Sequence, residues 1–399
     1  MTPATLSLYE LAAHELGGAV GGARSIIDAG CGSGAGTELL THTFPEVVAI
    51  DYDPAALASA KERAPRARIV AGDLSAWVDP PAADAAVLVD VLAHAKSPEG
   101  VLGSLRAALG RESGGASARL FIAERLAYPP QFLAAPVRRA FTAPGLERLL
   151  LGAGFEIAKW ITVDGSFLAC VAQPFFEPAW EDLCRAYGAL SFGRTEGVES
   201  TLAKVEKEGS RPSVRLAAVM GLANLSLARR DADGAIGACF RARDIEPRDV
   251  RPAALLARVA LAVGETAEAE RLANLACELD PGDIEGAYAR AVVASHAKSG
   301  AKEGWLAASN LAPDSLDVAA RLASVAIEER DADLAIFALE RVRAYGDDHG
   351  ASLHIALAWA LLSAGRRADA LLEARVADRL SPGDPAVRTL VDNCQPSGV

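Results

Sequence analysis

A chain of 399 residues, 51% apolar and 23% charged, has the length of two or more domains and an ordinary globular balance. Its formal net charge is −12, with 18 acids against 14 bases in residues 1–174 and 34 against 26 in residues 175–399; with no long Lys/Arg block, the electrostatic footprint of a nucleic-acid binder is missing. Six scattered cysteines with no CxxC pair argue against a disulfide scaffold or a metal site and for a reduced, cytoplasmic protein, no run approaches the roughly 18 apolar residues of a membrane helix, and the first residues lack the basic-then-apolar order of a signal peptide.

Residues 1–174 alternate short β-type runs with helical stretches. A leading helix carries Tyr9. Apolar runs follow at 25–29, 47–51, 68–71, 85–90 and 120–124, separated early on by helical stretches at 36–43, 54–63 and 98–109. This alternation predicts a mostly parallel sheet covered on both faces. The last two runs, 155–160 and 167–172, are joined by ITVDGS, too short for a helix, and predict an antiparallel hairpin at one edge.

From about residue 175 the strand-like runs vanish. Four helix ends read IEPRD, LDPGD, LAPDS and LSPGD, with prolines at 247, 281, 313 and 382. Their spacings of 34, 32 and 69 residues fit one helix pair every 34 residues. Alanines recur at positions where paired helices must approach closely: Ala223, Ala235 and Ala242; Ala257, Ala269 and Ala276; Ala289, Ala301 and Ala308; Ala358, Ala370 and Ala377. The intervening repeat keeps Ala323 and Ala335 but has Asp347 in place of proline. With a degenerate leading pair, about six helix pairs are expected in a solenoid. The pattern resembles tetratricopeptide repeats (TPR), although alanine, leucine or valine mostly replaces the large aromatic expected in each first helix. The resemblance implies a TPR-like solenoid that binds a protein or peptide; a generic helical solenoid is the other reading.

The chemistry centres on the stretch SIIDAGCGSGAG at 25–36. It satisfies the dinucleotide fingerprint through Gly30, Gly32 and Ala35, and Asp51 follows Gly30 by 21 residues, which suits ribose hydroxyls in more than one cofactor class. Three features separate these classes. Asp28, two residues before Gly30, is expected to face the ligand, repelling a pyrophosphate and welcoming an ammonium and sulfonium. Asp73 follows the third run, where an adenine amino group could be met. The closing hairpin replaces a second mononucleotide-binding half.

Taken with VVAIDYDP, GDLSAW, DAAVLVDVLAHA and FTAPGLERLLLGAGFEIAKW, the amino-terminal half resembles the class I S-adenosylmethionine-dependent methyltransferases, in motif order, over nearly all of residues 5–172. The resemblance implies a Rossmann-like seven-stranded α/β methyltransferase domain, with S-adenosyl-L-methionine as cofactor and S-adenosyl-L-homocysteine as product. Carried over by position, Asp28, Ala29, Gly30, Cys31, Gly32 and Gly34 lie against the methionine part, Asp51 and Tyr52 meet the ribose side, and Asp73 and Leu74 the adenine. Asp90 and Val91 sit below the transferred methyl, and Tyr9 closes over the site. His94 is the leading candidate general base, because its ordinary pKa suits proton acceptance near neutrality; Glu124 is a second candidate, or an anchor behind the site. Tyr9, His94, Tyr128 and Phe132 are expected to line the acceptor pocket, helped by the proline-rich segment 127–144. No metal is implied. The run Asp90-Val-Leu-Ala is not the [DN]-P-P-[YF] tetrapeptide of many amino-nitrogen methylases, which disfavours a nucleic-acid acceptor.

These readings give a methyltransferase domain over 1–174, a linker and degenerate helix pair over 175–215, TPR-like repeats over 216–390 and a flexible tail over 391–399. Three functions remain open: methylation of an O or N nucleophile with the solenoid recruiting a protein substrate or partner, methylation of a small molecule with the solenoid serving assembly, and a non-catalytic adaptor that binds the cofactor.

Overall fold

The computed structural model describes residues 3–17, 23–76, 80–109, 118–127, 136–161, 167–346 and 349–395. The chain divides into two compact units, one formed by residues 1–129 and 140–247, the other by 130–139 and 248–399.

The first unit is built on a seven-stranded sheet. Strand β1 (Ser25–Ala29) is flanked by β2 (Glu46–Asp51) and β4 (Ala85–Val89); β3 (Arg68–Ala71) lies outside β2, and β5 (Arg119–Arg125) outside β4. These five are parallel. The hairpin expected at the edge is present as β6 (Phe155–Ile161) and β7 (Phe167–Pro174), with β7 antiparallel to β5, giving the order β3-β2-β1-β4-β5-β7-β6; its connecting residues 162–166 lie outside the described residues. All five residues of β4 are buried, as expected of a central parallel strand covered on both faces. Helix α1 (Pro3–Gly17) lays Leu8, Tyr9, Ala12 and Leu16 into a core that includes Ile26, Leu40, Val87 and Phe121. Helices α2 (Ala35–Thr43), α3 (Pro54–Arg63), α4 (Pro98–Leu109) and α5 (Ala143–Gly152) make the crossovers.

The change of grammar near residue 175 does not coincide with the division between compact units. Helix α6 (Pro178–Ser191) is tied back to the sheet layer, because Trp180 donates its indole N–H to the Leu151 carbonyl at 3.2 Å. The Arg106 guanidinium lies 4.1 Å from the Trp180 ring and 4.9 Å from that of Phe176, and it donates to the Phe175 carbonyl. Helices α7 (Val198–Glu208), α8 (Pro212–Ala228) and α9 (Ala232–Ile245) complete this unit.

The second unit stacks α10 (Val250–Ala262), α11 (Thr266–Leu279), α12 (Ile284–Ala297), α13 (Ala301–Leu311), α14 (Leu316–Glu328), α15 (Ala332–Arg343), α16 (Gly350–Ser363) and α17 (Arg367–Leu380) as successive pairs, closed by α18 (Pro385–Cys394). The repeated alanines are buried as the 34-residue spacing requires, except Ala301, which is only partly buried. The residue ending each proline motif has a structural task. Asp249, Asp283 and Asp384 accept from the amides of Arg251, Glu285 and Ala386, and so cap the helix that follows. Ser315 does the same for α14. Residues 391–394, expected within the tail, belong to α18, where Leu390 and Cys394 form an apolar turn and are both buried. Asp347, and residues 396–399, lie outside the described residues.

Residues 136–139 fall between β5 and α5 in sequence but belong to this second unit. Arg138 meets Asp314 at 3.1 Å and donates to the Tyr345 carbonyl at 2.7 Å. Tyr345 returns its hydroxyl to the Val137 carbonyl at 2.8 Å, with its ring 5.5 Å from the Arg138 guanidinium.

Candidate active site

The strand order reverses between β1 and β4, and the candidate residues collect at the carboxyl ends of the strands on either side, where open α/β sheets place their ligands. Beyond β1 the chain turns through Gly30, Gly32 and Gly34, at φ of 77°, 53° and 82°, left-handed backbone that glycine adopts without a steric penalty. Two of these glycines are needed for different reasons. A β-carbon on Gly34 would lie 2.6 Å from Ala60 Cα, so this glycine lets the loop close on α3. One on Gly32 would meet nothing within 4 Å, so that side of the loop faces open space.

The loop amides are already engaged. Gly30 and Cys31 both donate to the Ile50 carbonyl, at 2.8 and 3.0 Å, and Gly34 donates to the Cys31 carbonyl. Gly32 donates to Asp51 Oδ2 at 2.8 Å, and Asp53 to Asp51 Oδ1 at 3.0 Å. A pyrophosphate cradle requires several backbone N–H groups aimed outward, and here four are spent internally. Asp51 retains acceptor capacity on both oxygens, since each carboxylate oxygen takes more than one hydrogen bond. Tyr52 beside it is 80% exposed, and Asp73 accepts from the Ser75 amide through Oδ1 while remaining exposed at the end of β3. The residues thus fit a cofactor that carries adenosine without phosphate.

Several expectations are corrected. Asp28 does not face the ligand; it is fully buried, its Oδ1 taking the Tyr9 hydroxyl at 2.9 Å and its Oδ2 that of Thr37 at 2.6 Å. Burial pushes its carboxyl up to about 6, against the lowering effect of those two hydroxyls. Its task is to tie the loop to α1 and α2. Tyr9 is accordingly a buried wall, not a closing lid, and its ring fills the space that a β-carbon on Gly36 would need. Ala29 and Cys31 are sealed from solvent, Cys31 packing with Ala49, Leu57 and Ala60, and the Leu74 side chain is turned inward. Asp90 does not extend β4; at φ 59° it ends the strand.

On the β4–β5 side the structure assembles a cluster. Asp90 receives Arg125 through Nε at 2.7 Å and Nη2 at 2.6 Å, and His94 Nε2 lies 3.5 Å from the same Oδ2. Burial alone would push the Asp90 carboxyl up, but His94 and Arg125 more than offset it and hold it below the usual carboxylate range. Glu124 is fully buried and spends both oxygens on backbone amides: Oε1 on Val91 (3.1 Å) and Leu92 (2.7 Å), Oε2 on Ala93 (3.0 Å). It is therefore the anchor of the turn that carries Asp90 and His94, and of the two candidate bases only His94 is in reach of solvent, its side chain one-third exposed. Arg125 lies one residue beyond the apolar run expected at 120–124; its signal in the sequence is a charged residue directly after that run, where β5 ends. Tyr128 and Phe132 lie outside the described residues.

Residues 27–113 match the family profile described as a methyltransferase domain. The amino-terminal region is a class I S-adenosylmethionine-dependent methyltransferase domain. It is 47% identical over 57 residues to a trans-aconitate 2-methyltransferase of Variovorax paradoxus, covering 14% of this chain and 22% of that protein. Among solved structures, it is similar to the Burkholderia thailandensis 1,6-didemethyltoxoflavin-N1-methyltransferase with 24% identity, 43% of this chain and 79% of that one, and a TM-score of 0.36. A chain of the APC/C hetero-tetramer Cut9–Hcn1 matches with 18% identity over 55% of this chain and 43% of that one, at a TM-score of 0.44. The chain spans about a quarter of the length of the curated relatives it matches first. Among the described residues, no helix is long and apolar enough to cross a membrane.

Proposed function

We propose that this protein transfers a methyl group from S-adenosylmethionine to an oxygen or nitrogen of a small organic acceptor, and that its helical repeats hold a protein partner. The observation that carries the reading is the Asp90–His94–Arg125 cluster at the ends of β4 and β5, across the strand reversal from the Gly32–Asp51 contact. Asp51 holds the ribose hydroxyls with Tyr52 beside it, Asp73 meets the adenine side, and the cofactor supplies an already activated methyl. The protein's remaining work is to position the acceptor and exclude water. His94 takes the proton of a hydroxyl or amine acceptor, its ring held by Asp90.

A small acceptor is favoured over a protein because the curated relatives are named for one, trans-aconitate. For the repeats, a surface between α14 and α16 lined by Ile327, Ile355 and the half-exposed Trp359 suits a peptide or helix of a partner. We place the methyltransferase domain at 1–174 and the repeats at 216–390, in a cytoplasmic protein whose six cysteines are free thiols.

The test is incubation of the full chain with methyl-labelled cofactor and cell extract, followed by separation of protein from small metabolites. Label among the small molecules supports the proposal. Label in a protein band assigns the repeats to substrate recruitment. Absence of label despite tight cofactor binding leaves a cofactor-binding adaptor.

A further inference from the structure

The Arg125 side chain is 44% exposed at the carboxyl end of β5, on the acceptor half of the strand reversal. Its contact with Asp90 is side-on, through Nε and Nη2. That geometry uses one of the two parallel N–H pairs of a guanidinium. The second pair, formed by Nη1 and the remaining hydrogen of Nη2, points away from the first in the same plane. Among the described residues, Nη1 has no hydrogen-bond partner.

Surface ion pairs at this exposure contribute little to stability, yet considerable structure is committed to this one. Asp90 adopts a left-handed backbone conformation at φ 59°, which is uncommon for a residue with a side chain and gathers at functional sites. The next three amides are fixed by the buried Glu124. Arg125 itself is the last residue of β5, its position set by pairing with Phe167 on β7 and by the Phe141 amide, which donates to its carbonyl at 2.8 Å. The result is a guanidinium held flat from one edge with its other edge turned toward solvent beside His94. A planar pair of N–H donors matches the two oxygens of a carboxylate.

We infer that the free edge of Arg125 binds a carboxylate of the methyl acceptor, so that the substrate class is small organic acids. This rests on the methyltransferase reading above and specifies its acceptor. Asp90 is the positioning residue that keeps the fork aligned, and His94 stands next to the bound acid. Lysine cannot substitute, because an ammonium lacks the planar fork.

The test uses the full chain saturated with S-adenosylhomocysteine and titrated calorimetrically with trans-aconitate, citrate and benzoate, each beside its uncharged methyl ester. At least one acid binds and its ester does not. Arg125→Met weakens that acid at least tenfold and Arg125→Lys at least threefold, while the affinity of both variants for S-adenosylhomocysteine stays within twofold, which also reports that they fold. If none of the acids binds the loaded protein, or if Arg125→Met binds them as well as the natural chain does, the carboxylate assignment is overturned and the cofactor reading stands. If S-adenosylhomocysteine itself does not bind, the underlying methyltransferase reading fails instead.

Discussion

Replacing Glu124 by glutamine changes one atom at the most heavily bonded point of the site. The carboxylate accepts three amides from residues 91–93 and is fully buried. Glutamine keeps an oxygen for Val91 and Leu92, but its amide nitrogen then faces the Ala93 N–H, donor against donor. A buried donor left without a partner costs about 2 kcal/mol. Opposing this is the burial of the natural charge: burial, partly offset by the three amides, pushes the Glu124 carboxyl from its ordinary 4.5 up to about 7, worth about 3 kcal/mol between the two protonation states. Because the folded-state value is raised, the folded protein holds this proton more tightly than the unfolded chain does. The contribution is therefore fully present below about 4.5 and is lost as pH rises through about 7. Glutamine carries no such dependence. Glu124→Gln is thus expected to be less stable than the natural chain by about 2 kcal/mol at pH 5, with the gap closing by pH 8. Urea unfolding at pH 5, 6, 7 and 8 followed by circular dichroism reads the gap, and hydrogen exchange of the Ala93 amide reads the local loss. A gap that is constant or that widens with pH would refute the reasoning.

Asp51→Ala removes the acceptor that holds the Gly32 amide together with the proposed ribose contact, and S-adenosylhomocysteine affinity should fall by about a hundredfold or more, two charge-assisted hydrogen bonds at about 1.5 kcal/mol each; calorimetry returning an affinity within twofold rejects the assignment. Asp28→Asn retains an acceptor for Tyr9 and abolishes a carboxyl that burial raises to about 6. Relative to this variant the natural chain should lose stability as pH rises from about 4 through about 6, so melting temperatures of the two that run parallel across this window count against it. Arg138→Ala breaks the contact with Asp314 and the donation to Tyr345, and tryptic cleavage after Arg139 should accelerate severalfold, whereas an unchanged rate means the segment is held by something else.

Periodicity made most of the architecture readable. Alternation at the pitch of βαβ units and the short join before 167–172 implied the parallel sheet with its edge hairpin, because strand and helix periods are local properties of the chain. The proline spacing and the recurrent alanines marked the helix pairs for a related reason, since close helix packing needs a small side chain at a fixed interval. The glycine loop could be placed because backbone at positive φ admits few residue types, and Asp51 because it closes an apolar run 21 residues after Gly30.

Side-chain direction was decided only when distant segments met. Asp28 reads as a ligand-facing acid until α1 brings Tyr9, and α2 brings Thr37, onto its two oxygens. Glu124 reads as a possible base until the turn after β4 supplies three amides 31 to 33 residues away in sequence. Arg125 gains meaning from Asp90, 35 residues earlier, and Arg138 from Asp314 and Tyr345, 176 and 207 residues later. The sequence by itself determined the elements, the helix-pair spacing and the place of the glycine loop, because these depend on neighbours in the chain. Which acid anchors, which faces a ligand and which cation remains available depend on hydrogen-bond partners far apart in sequence, and those the tertiary structure alone decided.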